Sequence, residues 1–144
     1  MIVKTITQQS ELESAFQIRT EVFIKEQNVP HSDEFDQFDM LGDACIHVLA
    51  YYDGKPVGTG RVRFVNTTAK LERICILKSY RKYKLGTAIV QHLEAVASEK
   101  GFSDFILHGQ THAESFYTRL GYHPSSDVFM EDGIPHIEMK KRIR

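Results

Sequence analysis

The sequence predicts an α+β domain built on a mixed, mostly antiparallel sheet flanked by helices. Two observations predict it. The patterned segments run strand, helix, three strands in series, helix, strand, helix, strand pair, an order that lacks the regular alternation of a doubly wound parallel fold. The three central strands are joined by turns too short for a crossover, Asp53-Gly54 after CIHVLAYY and the short NTT turn before KLERICIL.

IVKTIT (2–7) alternates as a half-buried strand does. Ser10-Glu11-Leu12-Glu13 follows as a capping box, so a helix is expected from Ser10, with Leu12, Ala15, Phe16, Val22 and Phe23 carrying one buried face to about Ile24. KEQNVPHSDEFDQFDMLGD (25–43) breaks the period with Pro30 and acidic residues from Asp33 to Asp43, and reads as a long acidic loop with room for a helical turn. CIHVLAYY, Asp53-Gly54 and KPVGTGRVRFV then form strand, tight turn and strand, and KLERICIL (70–77) is the third strand. GTAIVQHLEAVASEKG (86–101) puts Ala88, Ile89, Leu93, Val96 and Ala97 on one face and stops at Lys100-Gly101, a cation near the helix end and a residue that turns left-handed without strain. GFSDFIL (101–107) is a short apolar strand, AESFYTRLG (113–121) a short helix closed by Gly121, and DVFMEDGIPHIEMKKR two strands around Glu131-Asp132-Gly133.

With 144 residues, 42% hydrophobic and 26% charged, the chain is expected to form one domain, residues 1–144, around a core of its own. A formal net charge of -1 supplies no field for nucleic acid or an anionic membrane, and the basic tail KKRIR reads as a solvated end. Cys45 and Cys75 are too few and too far apart for a disulfide scaffold or a structural zinc site, so no metal is expected and a reducing cytoplasm fits best. No run of about 18 apolar residues would span a membrane, and MIVKTITQQ lacks the layout of a secretion leader.

SYRKYKLGTAIV (79–90) puts three basic side chains and a glycine in front of a helix. The first amides of a helix have no partner within it and carry partial positive charge, so an anion suits them. Arg81, Lys82 and Lys84 add cations, Gly86 allows close backbone approach, and Thr87 offers a hydroxyl. Neither a Walker A loop nor G-x-G-x-x-G occurs, which excludes the usual nucleotide-hydrolysis and dinucleotide motifs. By itself the loop fits either a phosphate site or a solvated basic turn.

Read with its flanks, the segment resembles the GCN5-related N-acetyltransferase (GNAT) superfamily. Arg81, Lys84 and Gly86 fall on that family's R/Q-x-x-G-x-G/A motif, with Lys84 where glycine is usual. Gln110, Ala113, Phe116, Tyr117, Gly121 and Tyr122 fall on its N-x-x-A-x-x-F-Y-x-x-x-G-[FY] motif, with glutamine in place of asparagine. RTEVFIKEQNVP and EDGIPHIEM look like the matching segments of the ElaA/YjcF-like branch, so the resemblance covers nearly the whole chain.

The resemblance implies acetyl-coenzyme A in a V-shaped opening between two splayed parallel strands, here KLERICIL and FSDFIL. Its pantetheine would pair with the backbone of Ile74, Cys75 and Ile76, and its pyrophosphate would sit on Arg81, Lys82, Lys84, Leu85, Gly86 and Thr87, with Gln110 and Phe116 also at the cofactor. Tyr117 is implied as proton donor to the leaving thiolate. An amine acceptor with a pKa near 10.4 must lose a proton before attack. Glu72 is the first candidate base and Glu26 the second, with His47, His108, His112 and His136 as further options. Cys75 reads as a buried structural thiol, so transfer is expected to be direct. The acidic loop either collects a small cationic amine or only keeps itself solvated. A homodimer through exposed strand edges is expected. A non-catalytic acyl-CoA binding domain and a nucleic-acid or protein interaction module are the competing readings.

Overall fold

In the computed structural model, which describes residues 1–143, strands β1 (Ile2–Thr5), β2 (Cys45–Tyr52), β3 (Lys55–Val65), β4 (Thr68–Ile76), β5 (Asp104–Gln110), β6 (His123–Pro124), β7 (Phe129–Glu131) and β8 (Ile134–Arg142) form one sheet. Its order is β1-β2-β3-β4-β5-β8-β6, with β7 paired to β8. Every pairing is antiparallel except β4 with β5. The helices are α1 (Gln9–Arg19), α2 (His31–Glu34), α3 (Leu85–Glu99) and α4 (Glu114–Arg119), and α3 is the crossover that a parallel pair requires. A π-helical turn (Thr20–Glu26) extends α1, and 3₁₀ turns occupy Lys78–Tyr83 and Thr111–Ala113.

The capping box lies earlier than Ser10. The amides of Thr7 and Gln8 both donate to Glu11 Oε1 at 3.1 Å, so Glu11 is the carboxylate that reaches back and Ser10 lies inside the first turn. The apolar period also runs past the end of α1. From Thr20 it is carried by the π turn, which closes with the Gln27 amide on Val22 O at 3.0 Å. The acidic loop contains one helical turn, α2.

Two apolar layers sandwich the sheet. Ile89, Val90, Leu93 and Ala97 of α3 pack on one face against Val48, Val62, Leu71, Phe105 and Leu107. Leu12, Ala15, Ile18 and Val22 pack on the other against Leu49 and Cys75. The α3 axis approaches β3 closely, since a Cβ on Gly60 would stand 2.9 Å from Ile89. Tyr122 donates to Glu94 Oε2 at 2.7 Å, and Lys141 Nζ reaches the same oxygen at 3.1 Å, so this motif tyrosine ties α3 to β8.

Two features of β4 create an opening. Its parallel register with β5 runs from Thr68↔Asp104 to Leu71↔Leu107 and stops, although β4 continues to Ile76 and β5 to Gln110. In the next residues its register with β3 slips: Arg61 faces Glu72 while Thr59 faces Cys75, so β4 holds one extra residue. Arg73 takes up that bulge with φ 57°. The expected splay of the two strands is present and begins at the bulge.

Lys84 precedes α3 at φ 61° and ψ 26°, a left-handed conformation that favours glycine. Lys84→Gly is therefore expected to raise unfolding free energy by about 1 kcal/mol in a urea titration; a loss of stability would show that the lysine side chain makes up for the strain.

Candidate active site

Beyond the last β4–β5 pair lies a cleft of ≈ 550 Å³ walled by β4, β5, the π turn and the β7–β8 turn. Of the residues expected at a site, Glu26, Glu72, Ile74, Cys75 and Ile76 line it, as do Arg81, Gln110 and Tyr117. Lys82, Lys84, Leu85, Gly86, Thr87 and Phe116 are not in its wall. They adjoin it through Gly86, where a Cβ would meet Phe116 Cζ at 3.1 Å and Ile76 Cδ1 at 3.6 Å. The Phe116 ring lies in turn 5.0 Å from that of Tyr117. The two motif segments thus touch, and a side chain at position 86 would crowd the Phe116 ring.

The first turn of α3 presents the amides of Leu85, Gly86 and Thr87, because its first main-chain bond is Ala88 N to Lys84 O. Lys82 and Lys84 are exposed beside them. Lys82 Nζ lies 5.4 Å from the Tyr83 ring, and Tyr83 stacks on Tyr52 at 4.1 Å, which stiffens the loop.

Tyr117 is 9% exposed and lines the cleft, yet its hydroxyl has no hydrogen-bond partner among the described residues. Burial, reinforced by neighbouring Cys75, pushes it up to about 12. Burial also pushes the Cys75 thiol well above its usual value, with no imidazole in hydrogen-bond contact.

The π turn is tied to both arms of the opening. Glu26 accepts two hydrogen bonds from Arg81 at 2.8 and 2.7 Å, and these hold its carboxyl below the usual range. Arg81 Nε also donates to Ile76 O at 3.0 Å, which joins the turn to β4. Gln27 pairs amide to amide with Gln110 at 2.8 and 3.3 Å, which joins it to β5, and His112 bonds Gln110 Oε1 at 2.7 Å.

Glu72 sits among cations. Arg61 Nη2 and Arg63 Nε both donate to its Oε1 at 2.8 Å, and Lys70 Nζ lies 3.4 Å from Oε2. Burial alone would push Glu72 up, but these hydrogen bonds and charges bring it down to about 2. The acidic loop meets the same arginine. Asp36 and Asp39 bind Arg61 at 2.8 Å, and Asp39 and Glu34 bind Arg19 at 2.6 and 2.9 Å; both arginines are 1% exposed. Glu34, Asp36 and Asp39 therefore neither attract an acceptor nor simply solvate the loop. They neutralise two buried guanidinium groups.

Sequence reasoning missed Gln27, Arg73, Glu131 and Asp132 among the cleft residues, and named His108, His112 and His136, which also line it, only as reserve bases. His47 lies elsewhere, buried and bonded to Phe38 O at 3.1 Å. The alternation Ile134-Pro135-His136-Ile137-Glu138 already placed His136 and Glu138 on one face, but their meeting with His108 depends on the β5–β8 register, in which His108 faces Glu138. Asp132, at φ 53°, is pushed up by burial and by Asp33 and Glu131. Among the described residues no group of three His, Cys, Asp or Glu is placed to hold a metal ion, and no helix is long and apolar enough to cross a membrane.

The acetyltransferase (GNAT) domain family matches residues 3–143. Among curated proteins the chain is 57% identical to YyaT of Bacillus subtilis, covering 99% of this chain and 97% of that one. It is 44% identical to the uncharacterized N-acetyltransferase YjcF of the same organism, covering 92% and 94%. The crystal structure of Escherichia coli ElaA superposes with a TM-score of 0.86 at 27% identity over 99% of this chain and 100% of that one. An acyl-CoA N-acyltransferase from Pseudomonas aeruginosa gives 0.85 at 27% identity, covering 98% and 99%.

The carboxylates around Arg61 set an acid limit on stability. Asp36 and Glu72 are each held at about 2, well below the unfolded range near 4, so their contribution is complete above that range and is lost as pH falls through it toward 2. A urea midpoint that is flat from pH 7 to 5 and then falls is expected; a midpoint unchanged at pH 3 would contradict the assignment. Arg61→Met leaves three carboxylates facing one another and is expected to cost about 3–5 kcal/mol.

Proposed function

Since the chain belongs to the GNAT acetyltransferase family and is an acyltransferase, we propose that it moves an acetyl group directly from acetyl-CoA to the primary amine of a small cationic acceptor. The observation that most supports this reading is the single cleft where the unpaired length of β4 and the unpartnered Tyr117 hydroxyl meet, next to the first turn of α3.

The residues present suit coenzyme A. Beyond Leu71 the backbone of Ile74, Cys75 and Ile76 has no β5 partner and can take an extended amide chain as an added strand. The amides of Leu85, Gly86 and Thr87 suit a diphosphate, with Lys82, Lys84 and Arg81 as counter-charges. Gln110 and Phe116 flank the path toward Tyr117. Bound there, the coenzyme supplies a thioester carbonyl.

The Ile74 amide is the donor we assign to that carbonyl's developing oxyanion. Tyr117 holds its proton too firmly to surrender it to a thiolate, whose conjugate acid has a pKa near 8.5, so its role is a hydrogen bond to the developing sulfur charge. Cys75 stays a thiol and is not the nucleophile, which leaves direct attack by the amine. Glu72, at about 2 and surrounded by Arg61, Arg63 and Lys70, is a weak base for an ammonium, and Glu26 is similarly held by Arg81. Attraction of a cationic acceptor passes from the arginine-bound loop acids to Glu131, Asp132 and neighbouring Asp33.

The test is thiol release from acetyl-CoA across polyamines, aminoglycosides, amino acids and peptide N-termini. Release above the hydrolysis background is expected with at least one cationic amine; background rates throughout, with coenzyme A still raising the melting temperature, would favour a binding domain. Tyr117→Phe is expected to lower kcat about tenfold, the worth of one hydrogen bond to a charged group, without weakening coenzyme A binding. Cys75→Ala should keep kcat within about twofold; a collapse of turnover would instead indicate an acyl-enzyme.

A further inference from the structure

The carboxylates that line the cleft differ in what holds them. Glu26 and Glu72 are bound by Arg81 and by the pair Arg61 and Arg63, while Glu34, pushed up by burial, is sealed against Arg19 at 3% exposure. A guanidinium keeps its charge at any relevant pH, so Glu26 and Glu72, both held down by one, are poor proton acceptors. Glu131 faces imidazoles instead, with neither a guanidinium nor an ammonium bound to it among the described residues. Its Oε1 lies 3.1 Å from His108 Nδ1, and its Oε2 lies 3.7 Å from His136 Nε2.

His136 Nδ1 lies 2.7 Å from Ile134 O, and since a carbonyl only accepts, that nitrogen carries the proton and the ring is fixed. Phe129 stands edge-on to His108 at 5.1 Å and stacks on His136 at 6.1 Å, which positions both imidazoles around the Glu131 carboxylate.

His108 has a second carboxylate behind it. Its Nε2 lies 3.4 Å from Glu138 Oε2, and Glu138 Oε1 accepts from the exposed Ser125 hydroxyl at 2.9 Å. Glu131 lines the cleft, Glu138 lines a separate open groove bordered by β5, β6 and β8, and His108 lines both. One imidazole therefore lies between the cleft and a second open groove on another side of the molecule.

We propose that Glu131 takes the proton from the acceptor ammonium and that His108 and Glu138 conduct it out of the cleft. This rests on the acetyl-transfer reading and supplies the base that reading lacks. The ammonium N–H bond breaks and an O–H bond forms on Glu131. That proton passes to His108, giving an imidazolium with a carboxylate at each nitrogen, and the imidazolium releases a proton to Glu138 and from there to water. Exchange with water restores the ring's starting tautomer. The tetrahedral adduct loses a second N–H proton, which goes to the departing sulfur, so one proton leaves per turnover, matching the net conversion of ammonium and thioester to amide and thiol. Glu131 touches the acceptor, while His108 and Glu138 act through it. The charged groups around the relay include Glu138, His136 and Lys140 on β8, Glu131 at the end of β7, Asp132 in the following turn, Lys70 and Arg73 on β4, and Arg63 on β3.

The probes are acetyl-CoA with spermidine and, separately, with n-propylamine, assayed from pH 6.5 to 9.5. Glu131→Gln is expected to lower kcat/KM about a hundredfold at pH 7, with the deficit shrinking to a few-fold as rising pH supplies neutral amine. His108→Gln and Glu138→Gln should show smaller losses with the same pH shape, and Glu131→Asp should restore part of the rate. Melting-temperature gains with coenzyme A should match wild type in all four variants. A deficit equal at every pH, or no deficit in Glu131→Gln and His108→Gln, overturns the relay while leaving acetyl transfer intact. A wild-type protein that binds coenzyme A but acetylates neither these amines nor any in the wider panel overturns the acetyl-transfer reading, and the relay with it. If Glu131→Gln does not fold, the pH profile of His108→Gln decides.

Discussion

The structure turns on the point where β4 leaves its parallel partner. Up to Leu71 and Leu107 the two strands satisfy each other's backbone; past that point β4 gains a residue at Arg73 and the strands diverge. A parallel pair ordinarily closes both edges within the sheet, so the divergence leaves polar backbone facing a gap, and such groups need a partner. The cleft is that gap. Its walls, and the position of α3 as the crossover between the diverging strands, follow from the same break in pairing.

Arginine keeps the break in one geometry. Arg61 gathers Asp36, Asp39 and Glu72 where the bulge begins, Arg73 reaches Glu34, and Arg19 ties Glu34 and Asp39 to the helical side. Buried ion pairs of this kind add little net stability but penalise other arrangements, since any shift strands a charge. The arginines also divide the acids into two groups. Those bound to guanidinium shape the cleft wall, and Glu131, facing imidazoles, is the one assigned to proton transfer.

Much of the fold was legible in the sequence because it rests on local signals: the alternation of the central strands, the Asp53-Gly54 turn, and the 3.6-residue period of α3. The loop before α3 was also legible, since basic residues and Gly86 precede a periodic run. What escaped depends on long-range pairing. Nothing local marks Arg19 or Arg61 as buried, because the carboxylates that neutralise them come from a loop and another strand. The left-handed Arg73 carries no glycine to announce it. His108 meets Glu131 only because β8 folds back along β5, and the amide pair of Gln27 with Gln110 spans 83 positions of sequence. The preference for Glu72 as base shows the same limit: its strand was placed correctly, and the cations around it were not visible.

The central claim is that the unpaired stretch of β4 and the first amides of α3 together receive coenzyme A. Backbone amide shifts followed by NMR during a coenzyme A titration test this most directly. The account predicts large, saturating changes at Ile74, Cys75 and Ile76 and at Leu85, Gly86 and Thr87, with slowed hydrogen exchange at the same amides. Saturable binding that leaves both segments unmoved and unprotected would contradict it.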